Sequence, residues 1–457
     1  MILKNYKLDL QSKIKRISFL FFLVFISGNA QELSLEKAHE LMLLKNGNLN
    51  ASQHEVNSKK EEQKAVKGLR YPSLSVSGTY AHLEKDIKVD LNEQRQMVSG
   101  LLSVPDPSLL GDWNFTVLEQ NLGMASADIE WPVFAGGKIN AANKAAQTNY
   151  ELSETLHKIK ENSLSIQLID YYFKLKLAQE AEMLREKVLE TIELHSAHAT
   201  KLFENGIIPE VETLNAKVAL SNANRELLAA KKDVSLATTA IKNLIGGKEF
   251  STTSTNFIKP TFQSTLIEFQ NEMIKENEQL KYLEKNKELA KIGVKIETSE
   301  YFPKVALFGK HTLWKDNLSL VDVKWLVGVG AKWNLFNGFE REHKIKAAKH
   351  KVEQVQQLEK QAKLNLLTYT EKLYNELDKQ RDQYNSLNTD VTLAEKLKYM
   401  RTRAFEEGTG TSLEVIDATL KLTQIKLFKI KALYNYSKTY GELMVSLNKT
   451  DNFLNKI

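Results

Sequence analysis

Two histidines three residues apart, His195 and His198, share a helical face and have the spacing of a metal-binding pair. A structural metal site wants four ligands. No third donor accompanies this pair, so it reads as a solvated or packed face. Gly328-Val329-Gly330 lies inside an alternating strand and not between a strand and a helix N-terminus, so it is no phosphate loop. No Ser, His and acid set stands out for nucleophilic catalysis, and zero cysteines exclude disulfides and thiolate metal sites. The expectation is therefore no catalytic residue, no metal and no cofactor. What remains is a pair of matching turns that carry carboxylates. Phe203-Glu204-Asn205-Gly206 leads through Pro209 to Glu212, and Phe405-Glu406-Glu407-Gly408 leads through Thr411 to Glu414 and Asp417. Gly206 and Gly408 suit the left-handed position after a helix, and Pro209 the first turn of the next. Thr411 and Glu414 have capping-box spacing, which alone would account for Glu414. Asp417, one turn further on, has no such role.

Long helical stretches must carry these turns. Lys138 to about Phe203 and Glu340 to about Phe405 contain no Pro and almost no Gly. At 1.5 Å per residue, each would be a helix of roughly 100 Å, which can pack only lengthwise against others. The returning legs run from Pro209 to Leu244 and from Thr411 to about Leu447. The chain is duplicated. Arg70-Tyr71-Pro72 and Glu300-Tyr301-Phe302-Pro303 each close a helix and open a strand, because Pro cannot continue a helix and extends the residue before it. Trp131-Pro132-Val133-Phe134 and Trp333-Asn334-Leu335-Phe336 each return the chain to a helix. Pro72 and Pro303 lie 231 residues apart, an offset that also pairs Met42 with Met273 and Asn46 with Asn277. Beyond the strands the offset is 202, pairing Trp131 with Trp333, Tyr172 with Tyr374, Phe203 with Phe405 and Gly206 with Gly408. The 29-residue difference is extra chain in the first strand pair, expected as a surface loop. Such repeats define the fold.

The expected order is a signal peptide over 1–30, a first repeat over 31–245, a joining segment over 246–265 and a second repeat over 266–457. In the first repeat, a helix over 34–70 precedes strands over about 72–84 and 122–134, then helices over 138–203 and 209–244. In the second, a helix over 266–299 precedes strands over about 303–314 and 322–336, then helices over 339–404 and 411–447. Lys4, Lys7, Lys13, Lys15 and Arg16 precede a short apolar core and Gly28-Asn29-Ala30, a secretory pattern too short to span a membrane. The composition of the 457 residues, 42% hydrophobic and 26% charged with a net charge of +6, shows no basic aromatic cluster for nucleic acid. The strands alternate. Leu74, Val76, Gly78 and Tyr80 oppose Ser73, Ser75, Ser77 and Thr79, and Trp325, Val327, Val329 and Ala331 oppose Lys324, Gly328, Gly330 and Lys332. That pattern fits a transmembrane barrel or a half-buried soluble hairpin. Aromatics at all four strand–helix junctions favour the barrel.

In these residues the chain resembles the TolC-type outer-membrane efflux and secretion channels. The resemblance rests on the duplicated helix-strand-strand-helix, the Tyr-Pro and Tyr-Phe-Pro strand starts, the Trp-Pro-Val-Phe-Ala-Gly-Gly and Trp-Asn-Leu-Phe-Asn-Gly returns, and the two tip motifs. It implies a mainly α fold with transmembrane β: a homotrimer with a 12-stranded β-barrel, continued by a long periplasmic α-helical barrel. It implies the exit duct of a tripartite efflux pump or type I secretion system in the outer membrane, in contact with lipid. A periplasmic adaptor and an inner-membrane transporter would be its partners. By the resemblance, Glu212, Glu414 and Asp417 would narrow the tunnel end. Phe203, Gly206, Pro209, Phe405, Gly408 and Thr411 would form the tip turns and adaptor contact. A basic residue found in some family members is Gly410 here. The alternative is a periplasmic coiled-coil adaptor or scaffold, which would show one hairpin and a compact β-domain.

Overall fold

The computed structural model describes residues 32–261, 264–316 and 323–455. The expected signal peptide, and residue 322 at the start of the last expected strand, lie outside them. The chain opens with α1 (Leu35–Lys45) and α2 (Gly47–Lys67), then β1 (Ser73–His82), β2 (Ile87–Asp90), α3 (Asn92–Leu101), β3 (Asn114–Leu118) and β4 (Asn121–Ala135). The 67-residue α4 (Lys138–Glu204) and α5 (Glu210–Leu244) complete the first half. The second half repeats the order with α6 (Leu266–Glu276), α7 (Glu278–Thr298), β5 (Lys304–Asp316), β6 (Trp325–Lys332), another 67-residue helix α8 (Glu340–Glu406) and α9 (Ser412–Ser446). A short α10 (Thr450–Leu454) follows. No helix among the described residues is long and apolar enough to cross a membrane.

Two compact units emerge. Among the described residues, the first comprises 32–54, 155–261, 264–281 and 360–455. Its core gathers Leu35, Met42, Leu168, Tyr172, Ile241 and Met273, all fully or almost fully buried. The buried Tyr172 hydroxyl donates to the Leu33 carbonyl at 2.6 Å and accepts from the Thr255 amide at 3.0 Å. That one side chain ties the start of the chain to the joining segment, where Leu33 and Thr253 form a parallel bridge.

Each expected opening helix is broken in two. The breaks fall at Asn46 and Asn277, which the 231-residue offset pairs. Each Asn has extended backbone, and its side chain then caps the helix that follows. Asn46 Oδ1 accepts from the amides of Asn48 at 3.0 Å and Leu49 at 3.2 Å, while Nδ2 donates to the Leu244 carbonyl at 3.0 Å. Asn277 Oδ1 accepts from Gln279 at 2.9 Å, and its Nδ2 donates to the Ser446 carbonyl at 3.3 Å. Asn competes with the helix ladder through such local bonds. Here it also captures an orphan carbonyl at the end of a distant helix.

The second unit comprises, among the described residues, 55–154, 282–316 and 323–359. Its antiparallel sheet has the order β1-β4-β5-β6, so β1 and β6 are edges. One transverse row reads Leu74, Ile129, Gly309 and Val327. The glycine is required there: a Cβ on Gly309 would lie 2.8 Å from Ile129 Cγ2. The 29 extra residues are not the loop expected. They hold the β2–β3 hairpin and α3, closed by bonds from Asn92 Nδ2 to Asp112 at 3.0 Å and from the Trp113 amide to Asn92 Oδ1 at 3.1 Å.

Candidate channel wall and helical tips

Alternation along the strands gives the sheet two chemistries. Every residue of β1 is exposed, including Leu74, Val76 and Tyr80 on one face. The same face carries Trp131, Trp325, Val327 and Val329, all more than two-fifths exposed. On the other face, Ser77 Oγ lies 3.1 Å from Ser126 Oγ, Ser126 donates to Asp128 at 2.8 Å, and Lys310 stands 3.9 Å from Asp128. An apolar face in open contact with its surroundings, backed by a hydrated face, suits lipid on one side and water on the other.

The strand starts are riveted alike in both repeats. Trp131 Nε1 donates to the Arg70 carbonyl at 2.9 Å, and Trp333 Nε1 to the Tyr301 carbonyl at 3.0 Å. The acceptors are themselves 231 residues apart. The second junction carries additional charge. Arg341 is buried, stacks 3.8 Å over the Tyr301 ring and donates to the Glu300 and Asn334 carbonyls. Glu300 pairs with Lys138 and Lys304, each at 2.7 Å. Hydrogen bonds from those two ammonium groups hold its carboxyl down at about 2.

In the first unit the two helical turns have the same backbone. Gly206 and Gly408 both take φ of 73°, a left-handed conformation that side chains other than glycine rarely adopt. Their amides return to the carbonyls of Phe203 at 2.8 Å and Phe405 at 3.0 Å. Pro209 caps α5 without a side-chain bond, whereas Thr411 and Glu414 form the full capping box at α9.

The structure brings part of the candidate set together. Glu212 Oε2 accepts from the Ser412 amide at 2.8 Å, joining the first turn to the second. Glu414 is engaged twice, in its cap and with Arg401 at 2.6 Å. Phe405 is buried in a small core with Ala199, Ala216 and Val415, while Phe203 is 41% exposed. Asp417 is exposed and carries no hydrogen bond or ion pair among the described residues. It lines a groove of about 330 Å³ with Arg185, Asn215, Glu226 and Ile416.

Ser412 and Arg401 escaped the sequence reading, and His195 was read as part of a solvated or packed pair, with no partner named. The buried His195 places Nε2 2.7 Å from Ser412 Oγ and its ring 4.7 Å from that of Phe405. Burial lowers the imidazole below its ordinary value, and neighbouring His198 lowers it further.

The model of the outer membrane efflux protein family matches residues 39–247 and 270–449. Similar solved structures include CusC, with TM-score 0.73 and 13% identity over 92% of this chain and 95% of that one. VceC of Vibrio cholerae has TM-score 0.72 and 15% identity, covering 90% and 95%. The CmeC channel of Campylobacter jejuni has TM-score 0.72 and 15% identity, covering 91% and 86%. No curated protein sequence matches the chain. The chain belongs to the outer membrane efflux protein family. It is an outer-membrane efflux channel and not an enzyme, and nothing supports the adaptor alternative.

Proposed function

We propose that this efflux channel works as a homotrimer, with its sheet in the outer membrane and its helical tips gating the periplasmic end. The observation that carries the oligomer is the open sheet, and the number three follows the family resemblance. Edges β1 and β6 leave a row of backbone groups unpaired, which a lipid environment does not tolerate. Three copies supply twelve strands and an even-numbered closed barrel. The four strands, the equatorial joining segment over 246–265 and the long helices would then be wall, girdle and duct. A periplasmic adaptor and an inner-membrane transporter would feed it. The exposed apolar side chains Phe203, Ile207, Val211 and Leu214 at the first tip support an adaptor contact there.

Of the three acidic candidates at the gate, Asp417 is the one left free to act. Glu212 is occupied by the Ser412 amide, and Glu414 by its cap and Arg401. Threefold symmetry would gather the Asp417 carboxylates into a ring that attracts cations. Asp417→Ala combined with Glu414→Ala is expected to weaken multivalent-cation block of single-channel current in planar bilayers, with trimer yield by light scattering unchanged. Unaltered block would move these carboxylates to the outer surface. A stable inserted monomer would sink the architecture.

A further inference from the structure

The closest meeting of the two tips is a fully buried serine at the first position of a helix. Ser412 follows the Thr411 cap and has no exposed surface. Its amide is held by Glu212 from α5, and its hydroxyl by His195 from α4. We propose that His195 is a positioning residue of the tip: its neutral imidazole holds the first turn of α9 against α4, and protonation releases that turn. The proposal rests on the gate reading above, because the released turn carries Glu414 and leads into Asp417.

A neutral imidazole shares one hydrogen bond with Ser412 and presents its ring to Phe405 without penalty. A charged one must stay buried against the Phe405 ring, which belongs to the small core with Ala199, Ala216 and Val415. Toward the tip, the packed elements carry His198, Lys201 and Glu204 on α4, Glu210, Glu212 and Lys217 on α5, Lys398, Arg401, Arg403 and Glu406 on α8, and Glu414 and Asp417 on α9. Arg401 is paired with Glu414 and Arg403 with Glu406. His198 opposes charge on His195. Of the carboxylates left, Glu212 is the one that already meets Ser412, and so the one a charged ring would compete for. Losing it would strip the Ser412 amide of its acceptor.

The folded ring titrates below its ordinary value of 6.5. Its contribution is therefore complete above pH 6.5 and is lost as the pH falls from there through the folded value.

The test is hydrogen exchange on the intact protein in detergent, read at the amides of 412–420 and corrected for intrinsic rates. Parent protein should lose protection by roughly tenfold for each unit that burial lowers the folded value. His195→Gln should lose none, and His198→Gln should lose less than the parent, because the neighbouring charge that helps hold the His195 value down is gone. Ser412→Ala should start at pH 7.5 with the low protection the parent reaches in acid. Equal acid loss in His195→Gln and parent, or a pH-independent parent, would overturn the proposal. Protection that follows His195 while conductance stays flat with pH would keep this pin and overturn the gate reading instead.

Discussion

The two helical tips share a backbone and differ in what their side chains do. Phe203 and Phe405 occupy equivalent positions, yet the first is 41% exposed and the second 2%. The first turn closes on Gly206 and Pro209 without a side-chain cap. The second adds a capping box, the Arg401–Glu414 ion pair and the buried Ser412. Duplication supplied two copies of one turn. The second has become the seated partner, fixed into the first through Glu212 and His195. The first keeps its apolar side chains outward. Equivalent backbone therefore does not mean equivalent role.

The sharpest way to break that contrast is to truncate both aromatics. Phe405→Ala should cost about 3–5 kcal/mol, the range for a large buried aromatic, whereas Phe203→Ala should cost under about 1 kcal/mol. Denaturant unfolding followed by circular dichroism reads both. Equal losses would mean that the tips are not differentiated.

A second comparison concerns the broken helices. Asn46→Ala and Asn277→Ala each remove a cap and strand a carbonyl, at about 1–3 kcal/mol apiece. Asn46 holds two amides where Asn277 holds one, so its loss should be the larger. The reverse order in the same unfolding experiment would contradict the hydrogen-bond count.

The smallest effect lies at the strand junctions. Glu300 has Leu69 as its first-repeat counterpart. Its carboxyl is held at about 2 against an ordinary 4.5, so its contribution is complete above pH 4.5 and is lost as the pH falls from there through 2. Glu300→Gln should flatten the acid limb of the melting temperature between those values. An unchanged limb would mean that Lys138 and Lys304 contribute no net attraction.

The sequence made the duplication legible because Pro, Trp and Gly each enforce a local geometry that survives without knowledge of the rest. Pro72, Pro303, Gly206 and Gly408 are of that kind. The family was legible for the same reason, through the order and spacing of those residues. Asn46 and Asn277 were visible as a pair but not as helix breaks. Their reason for breaking is a carbonyl about 170–200 residues away, at Leu244 and Ser446, and helical periodicity carries no trace of it. The His195–Ser412 contact was hidden likewise, since it spans 217 residues. The β2–β3 insertion looked like loop because its polar residues mark turns whether or not strands lie between them.

The open sheet has a consequence for how copy number is set. Strand directions alternate across β1-β4-β5-β6, so in the proposed ring β6 of one copy and β1 of the next would run oppositely and continue the ladder. Such a junction would be head-to-tail, and a head-to-tail contact closes into a ring only if its rotation divides a full turn. Because each copy adds an even number of strands, rings of two, three or four would all keep perfect alternation. The edges therefore dictate the handshake but not the head count. The count must come from the turn angle between neighbours, so a substitution that alters that angle could change ring size while leaving every strand pairing intact.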